Sequence, residues 1–198
     1  VWAGSRWESF LRGVVKRALA GTEPQPWWMP RRLLTVVSAD VDATAGVGAI
    51  WILWRPKSSR MREHIALLEW FGEQWRCVGG SIGSGDDPVD VDVLDVSSGG
   101  GVLSLTRRLD PPRSITAAPW INCVKVRLGR DVRHVLIGAR RIEVPKQRRL
   151  IAVWKSPRVS RGVRPLIVVL GHEGAELSRM GPQDGLDTHT WARWRQEL

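Results

Sequence analysis

Gly48-Ala49-Ile50-Trp51-Ile52-Leu53-Trp54 is the stretch that decides how this chain folds. In an extended strand Ile50, Ile52 and Trp54 fall on one face, and Ala49, Trp51 and Leu53 on the other. Apolar residues on both faces call for cover on both sides. Three further apolar runs bounded by turn residues flank it: Leu33–Ser38 before, His64–Trp70 and Gln74–Gly79 after. Phe71-Gly72-Glu73 is short enough to make the last two a hairpin. The expected unit is a four-strand antiparallel meander that needs a lid.

The N-terminal segment offers the lid. Ser5 and Glu8 fit a capping box. Trp7, Phe10, Leu11, Val14, Val15, Ala18 and Leu19 then recur at helical spacing, one apolar stripe. Arg12, Lys16 and Arg17 lie off the stripe, and Gly21 is a natural stop. Thr22–Pro30 contains Pro24, Pro26 and Pro30 and reads as an extended linker that carries Trp27 and Trp28.

Downstream, Gly79–Pro88 reads as a loop and Val89–Val96 as a Val/Asp alternation. Ser97-Ser98-Gly99-Gly100-Gly101 breaks that pattern and marks a soft boundary. Seven more strand candidates follow: Val102–Leu109, Trp120–Leu128, Val132–Ile137, Arg140–Val144, Arg149–Trp154, Pro165–Leu170 and Ala175–Met180. Seven short strands in this length are the count of an immunoglobulin-like β-sandwich. Asp187 fits the cap of a short C-terminal helix. The expected class is mainly β. Residues 1–32 form an amphipathic helix and Pro-rich linker, and 33–97 a four- to five-strand antiparallel unit. Residues 102–183 form the sandwich and 184–198 the closing helix.

At 43% hydrophobic and 25% charged, the 198 residues match an ordinary globular chain with a real core. Large aromatics are almost all indoles, with 12 Trp, 2 Phe and no Tyr. Net charge is +10. Lys16, Lys57, Lys125, Lys146 and Lys155 are the only lysines among 30 basic residues, which leaves 25 arginines. By segment the net charge is +4 over 1–32, −5 over 33–106, +13 over 107–164 and −2 over 165–198. No secretory leader is read at the start, which favours a cytoplasmic protein. The first residue is Val1 rather than Met, consistent with a fragment or processed product. Leu33–Trp54 is interrupted by Asp40 and Asp42 and is too polar to span lipid.

Candidate chemistry fails its context tests. Gly79-Gly80-Ser81-Ile82-Gly83 matches G-x-S-x-G, but a strand rather than a helix follows it, so Ser81 lacks the strand-to-helix turn that a hydrolase nucleophile needs. Asp184 or Asp187 with His189 would have to complete its triad. Asp40, Asp42, Asp90 and Asp92, with Asp86 and Asp87 nearby, offer oxygens to Ca²⁺ without EF-hand spacing. His64, His134, His172 and His189 show no zinc spacing. Glycine-rich nucleotide fingerprints are absent, and no cofactor is implied. Cys77 shares a face with Trp75 and reads as buried. Cys123 shares one with Lys125 and Arg127 and reads as half-exposed, which argues against a Cys77–Cys123 bridge.

The expected function is therefore a non-enzymatic binding or protein-interaction module. Trp27, Trp28, Arg158, Arg161 and Arg164 are its candidate contact residues, because they lie in connections where packing does not account for them. Three alternatives accompany it, one of them a serine hydrolase using Ser81. The Arg-rich 107–164 region can attract nucleic acid or another anionic surface, or dock onto the acidic 33–106 unit. Residues 6–20 can lie on an anionic membrane.

Overall fold

The computed structural model describes residues 4–84, 91–108, 118–157 and 164–181. The chain is mainly β. After helix α1 (Gly4–Leu19) come β1 (Leu34–Asp42), β2 (Val47–Trp54), β3 (Arg62–Phe71) and β4 (Gln74–Ser84). These pair antiparallel in chain order as sheet A. β5 (Leu94–Leu103), β6 (Trp120–Leu128) and β9 (Arg149–Ser156) form sheet B in the order β5-β6-β9. β7 (His134–Ile137), β8 (Arg140–Glu143), β10 (Ile167–Leu170) and β11 (Glu176–Met180) form sheet C in the order β11-β10-β7-β8. The expected helix over 184–198 lies outside the described residues.

The layers stack as α1, sheet A, sheet B, sheet C, with an apolar core in each gap. Phe10, Leu11, Val14 and Val15 of α1 pack on Val36, Ile50, Ile52, Ala66, Leu68 and Trp75. The opposite face of sheet A, including Ala49, Trp51, Leu53, Ile65 and Leu67, meets Ile121, Cys123, Ile151 and Val153 of sheet B. The far face of sheet B, with Val124, Val126, Leu150 and Ala152, meets Val135, Ile137, Ile167 and Val169 of sheet C. β2 is thus buried on both faces, as its sequence requires, and α1 is its lid.

Local chemistry sets the connections. α1 ends in a Schellman arrangement: Thr22 N donates to Arg17 O and Gly21 N to Ala18 O, with Gly21 at φ +65°. The β3–β4 hairpin turns on Gly72 and Glu73, both at positive φ, as a two-residue type I′ turn demands.

Several expected boundaries move. β1 runs on through Asp40 and Asp42, which lie within the strand rather than after it. β4 continues to Ser84, so Gly79–Ser84 is strand and not loop. β5 passes through the Ser97–Gly101 run, paired to β6 with a bulge between Ser98 and Gly100, so the expected boundary falls inside a continuous strand. Leu105–Arg108 forms a 3-10 turn rather than strand. Sterics explain the glycine-rich strands. A Cβ on Gly79 would come within 2.6 Å of Val102 Cγ1, and one on Gly80 would strike the Ile65 carbonyl. Glycine is needed for close approach here, not for a turn.

Candidate functional site

The α1–β1 connection displays Trp27 and Trp28 from a backbone that is tied down. Gln25 is buried beneath it. Its Nε2 donates to Met29 O at 2.9 Å, and its Oε1 accepts from Val36 N at 2.8 Å. Met29 N donates to Pro26 O, and the Met29 side chain inserts into the core under α1. The turn between these anchors leaves Trp27 88% exposed and Trp28 52% exposed. Trp28 leans edge-on toward Phe10, ring centres 6.3 Å apart, whereas Trp27 stands clear. Both indoles border a cleft of about 480 Å³ with Arg6, Ser9, Phe10, Gly13, Arg17 and Pro26. Gly13 has nothing within 4 Å of where a Cβ would sit, which leaves the helix surface open there. Arg17 Nε is held by Glu23 O at 2.7 Å, and Arg31 pairs with Glu23.

Arg164 is not part of this surface. It precedes β10 in the layer farthest from α1 and donates to Met180 Sδ at 3.2 Å. Arg158 and Arg161 lie outside the described residues.

Part of the basic 107–164 segment pairs internally with the acidic 33–106 segment. Lys125 Nζ lies 3.0 Å from Glu63 Oε1, and Lys155 Nζ 2.7 Å from Glu69 Oε1. Arg140 clamps Asp40 at 2.9 and 3.1 Å. Glu63 and Glu69 share the β3 face of Ile65 and Leu67, and Lys125 and Lys155 point back from sheet B. The two pairs therefore close opposite ends of the same apolar layer. Glu69 also accepts from Ser104 Oγ at 2.5 Å and Leu105 N at 2.6 Å, fixing the start of the 3-10 turn. Burial pushes the Asp40 carboxyl above its ordinary range, against the pull of Arg140 and the Val153 N–H. Arg127, Arg130, Arg148 and Arg149 converge elsewhere, on a cleft of about 450 Å³ that also holds Asp92 and Asp131.

Ser81 is exposed on β4, opposite Ile65. Its neighbour across the sheet, His64, pairs with Ile82 and therefore projects from the other face, against Trp7 with ring centres 5.4 Å apart. Burial lowers the His64 pKa below its ordinary value. Asp184, Asp187 and His189 lie outside the described residues, as do Asp86, Asp87 and Asp90. Asp40 is engaged by Arg140, and Asp42 Oδ1 accepts from Ala45 N at 3.0 Å. Among the described residues no group of three or more His, Cys, Asp or Glu is placed to hold a metal ion. No helix among them is long and apolar enough to cross a membrane.

The burial expected of the two cysteines is reversed. Cys123 is buried between sheets A and B, and Cys77 is half-buried on the α1 side of sheet A. Both thiols are free. Burial pushes Cys123 up to about 12, and Cys77 upward as well.

The aromatic cluster of Trp7, Phe10, Trp54 and His64 beneath the display turn escaped sequence reasoning. Trp7 and Phe10 were legible as helix stripe, but nothing in the spacing showed that they meet β2 and β3. No family model, curated protein or solved structure matches the chain.

Proposed function

We propose that this protein is a non-enzymatic binding module whose contact surface is the Trp27–Trp28 turn on α1. One observation carries the reading: Trp27 is 88% exposed on a backbone that Gln25 and Met29 anchor to the core. A large indole left in water forgoes about 2 kcal/mol of burial, and an anchored turn keeps the ordering cost of binding low.

The architecture supports a binding role. Lettered as A, B, C, C′, E, F and G, strands β5 to β11 form sheets A-B-E and G-F-C-C′. This arrangement supports an immunoglobulin-like description of that half, a scaffold that presents loops to partners.

The test compares wild type with W27S/W28S for retention on anionic phospholipid vesicles, poly-glutamate and oligo-thymidine. Retention on at least one probe, weakened about tenfold or more in the variant, is expected on a loss of two anchors. Equal retention of both proteins on every probe, or no retention at all, removes the reading.

A second reading rests on the cleft of Arg127, Arg130, Arg148 and Arg149, whose composition suits a phosphate-bearing ligand. If nucleic acid binds there, R130Q/R149Q weakens oligo-thymidine retention and lowers its salt dependence, while W27S/W28S leaves both unchanged.

A further inference from the structure

We infer that the display turn docks on an anionic lipid surface. This rests on the contact surface proposed above and names its partner. Among the described residues, eight large hydrophobic side chains are exposed, and three of them lie within one stretch of seven residues: Trp27, Trp28 and Leu33. The clustering follows from the fold. α1 ends at Leu19, the turn at Pro26–Met29 lifts the indoles, and Leu33 closes the connection just before β1 enters the sheet.

The charges around this patch are predominantly positive. Arg6 and Arg17 line the cleft with the indoles, and Arg31 and Arg32 are exposed in the same connection. Arg55 N donates to Leu33 O, which brings the Arg55–Arg60 turn, with Lys57 and Arg60 also exposed, against the same end. Glu23 is the single acid in the 16–33 stretch, and it is paired with Arg31. An apolar patch rimmed by cations matches a bilayer surface of anionic headgroups over hydrocarbon. Indoles suit the headgroup boundary, where the ring meets the acyl region and the N–H stays hydrated.

Leu33, exposed in the same connection as the indoles, favours lipid over the other polyanions. Bases stack on aromatic faces, and acidic peptides pair with cations, but neither chemistry uses exposed aliphatic side chains. Acyl chains do. Two weak signals, shallow apolar insertion and a basic rim, add to one useful affinity where either alone would be marginal.

The experiment is co-sedimentation with vesicles of phosphatidylcholine, with and without phosphatidylglycerol. It uses wild type, W27S/W28S and R32Q/K57Q, each checked for an unchanged circular dichroism spectrum. Wild type is expected to sediment with phosphatidylglycerol vesicles and about tenfold less with pure phosphatidylcholine. W27S/W28S loses about tenfold on the anionic vesicles, and R32Q/K57Q loses a similar factor together with part of the salt dependence. Brominated acyl chains should quench wild-type fluorescence on binding, and quench W27F less. Vesicle binding that W27S/W28S leaves unchanged overturns the inference. So does an absence of vesicle binding; if poly-glutamate or oligo-thymidine is then retained through Trp27 and Trp28, the contact surface stands and the partner is a protein or a nucleic acid. Retention of none of the probes removes both the partner and the surface.

Discussion

Arg140 reaches past β9 to hold Asp40, its two terminal nitrogens 2.9 and 3.1 Å from the carboxylate oxygens. One pair thereby joins the edge of sheet C to the edge of sheet A. The same groups seal the strand between them. Asp40 Oδ2 accepts from Val153 N at 2.8 Å, Arg140 Nη2 donates to Val153 O at 2.6 Å, and Ser38 Oγ accepts from Ile151 N. Side chains thus occupy backbone groups on the outer edge of β9, a position that would otherwise invite strand pairing with another chain.

Removing Arg140 leaves Asp40 as a buried carboxylate without its partner. Arg140→Ala should cost about 3 kcal/mol, whereas R140A/D40N should recover part of that loss, because the uncompensated charge is the main penalty. Urea denaturation of the two single variants and the double closes the cycle. Additive losses would show that the pair is not coupled.

Glu69 is almost fully buried, with Lys155, Ser104 and Leu105 N all bonded to it. Glu69→Ala should cost about 3–5 kcal/mol by stranding the Lys155 ammonium and the Leu105 N–H together. E69Q/K155M keeps an acceptor for Leu105 N and removes both charges, so it should be more stable than E69A. Thermal melts of the variants check the order.

Gly80 lies so close to β3 that any Cβ would meet the Ile65 carbonyl, whereas Gly83 on the same strand has open space. Gly80→Ala should lose more than about 2 kcal/mol through forced backbone movement. Gly83→Ala should stay within about 0.5 kcal/mol of wild type. Comparable denaturation midpoints for the two would contradict the packing at the β3–β4 pair.

The Cys123 thiol, pushed up to about 12 from 9.0, links stability to alkaline pH. The unfolded chain releases this proton first, so the folded state holds more protons between the two values and stability falls as pH rises through that window. Cys123 alone should contribute a slope of at most about 1.4 kcal/mol per pH unit there. Comparing wild type with Cys123→Ala between pH 9 and 11 isolates it. The buried thiol should also resist iodoacetamide in the native protein and react once it is denatured.

The strands themselves were largely legible. β2 announced two-sided burial through Ile50, Trp51 and Ile52, and the α1 stripe matched the face left to cover. Gly72-Glu73 marked its hairpin. The misread segments share a cause. Gly79, Gly80 and the Ser97–Gly101 run carry the composition of loops, but at Gly79, Gly80 and Gly101 a neighbouring strand or side chain would collide with any Cβ. Trp27 and Trp28 were recognisable as unexplained residues, but their display needed the Gln25 and Met29 anchors, and Arg164 proved to belong to another layer.

Alternation along each strand is a local property, so the sequence alone determined the β character, the helical lid and which residues share a face. Which face looks outward was decided only by the tertiary structure. Lys125 marks the Cys123 face of β6 as solvent-facing on local evidence, yet Glu63 from a strand 62 residues away meets it and turns that face into core. A charge is hydrophilic only until a distant partner neutralises it, and no pattern of neighbours in the chain records where that partner lies.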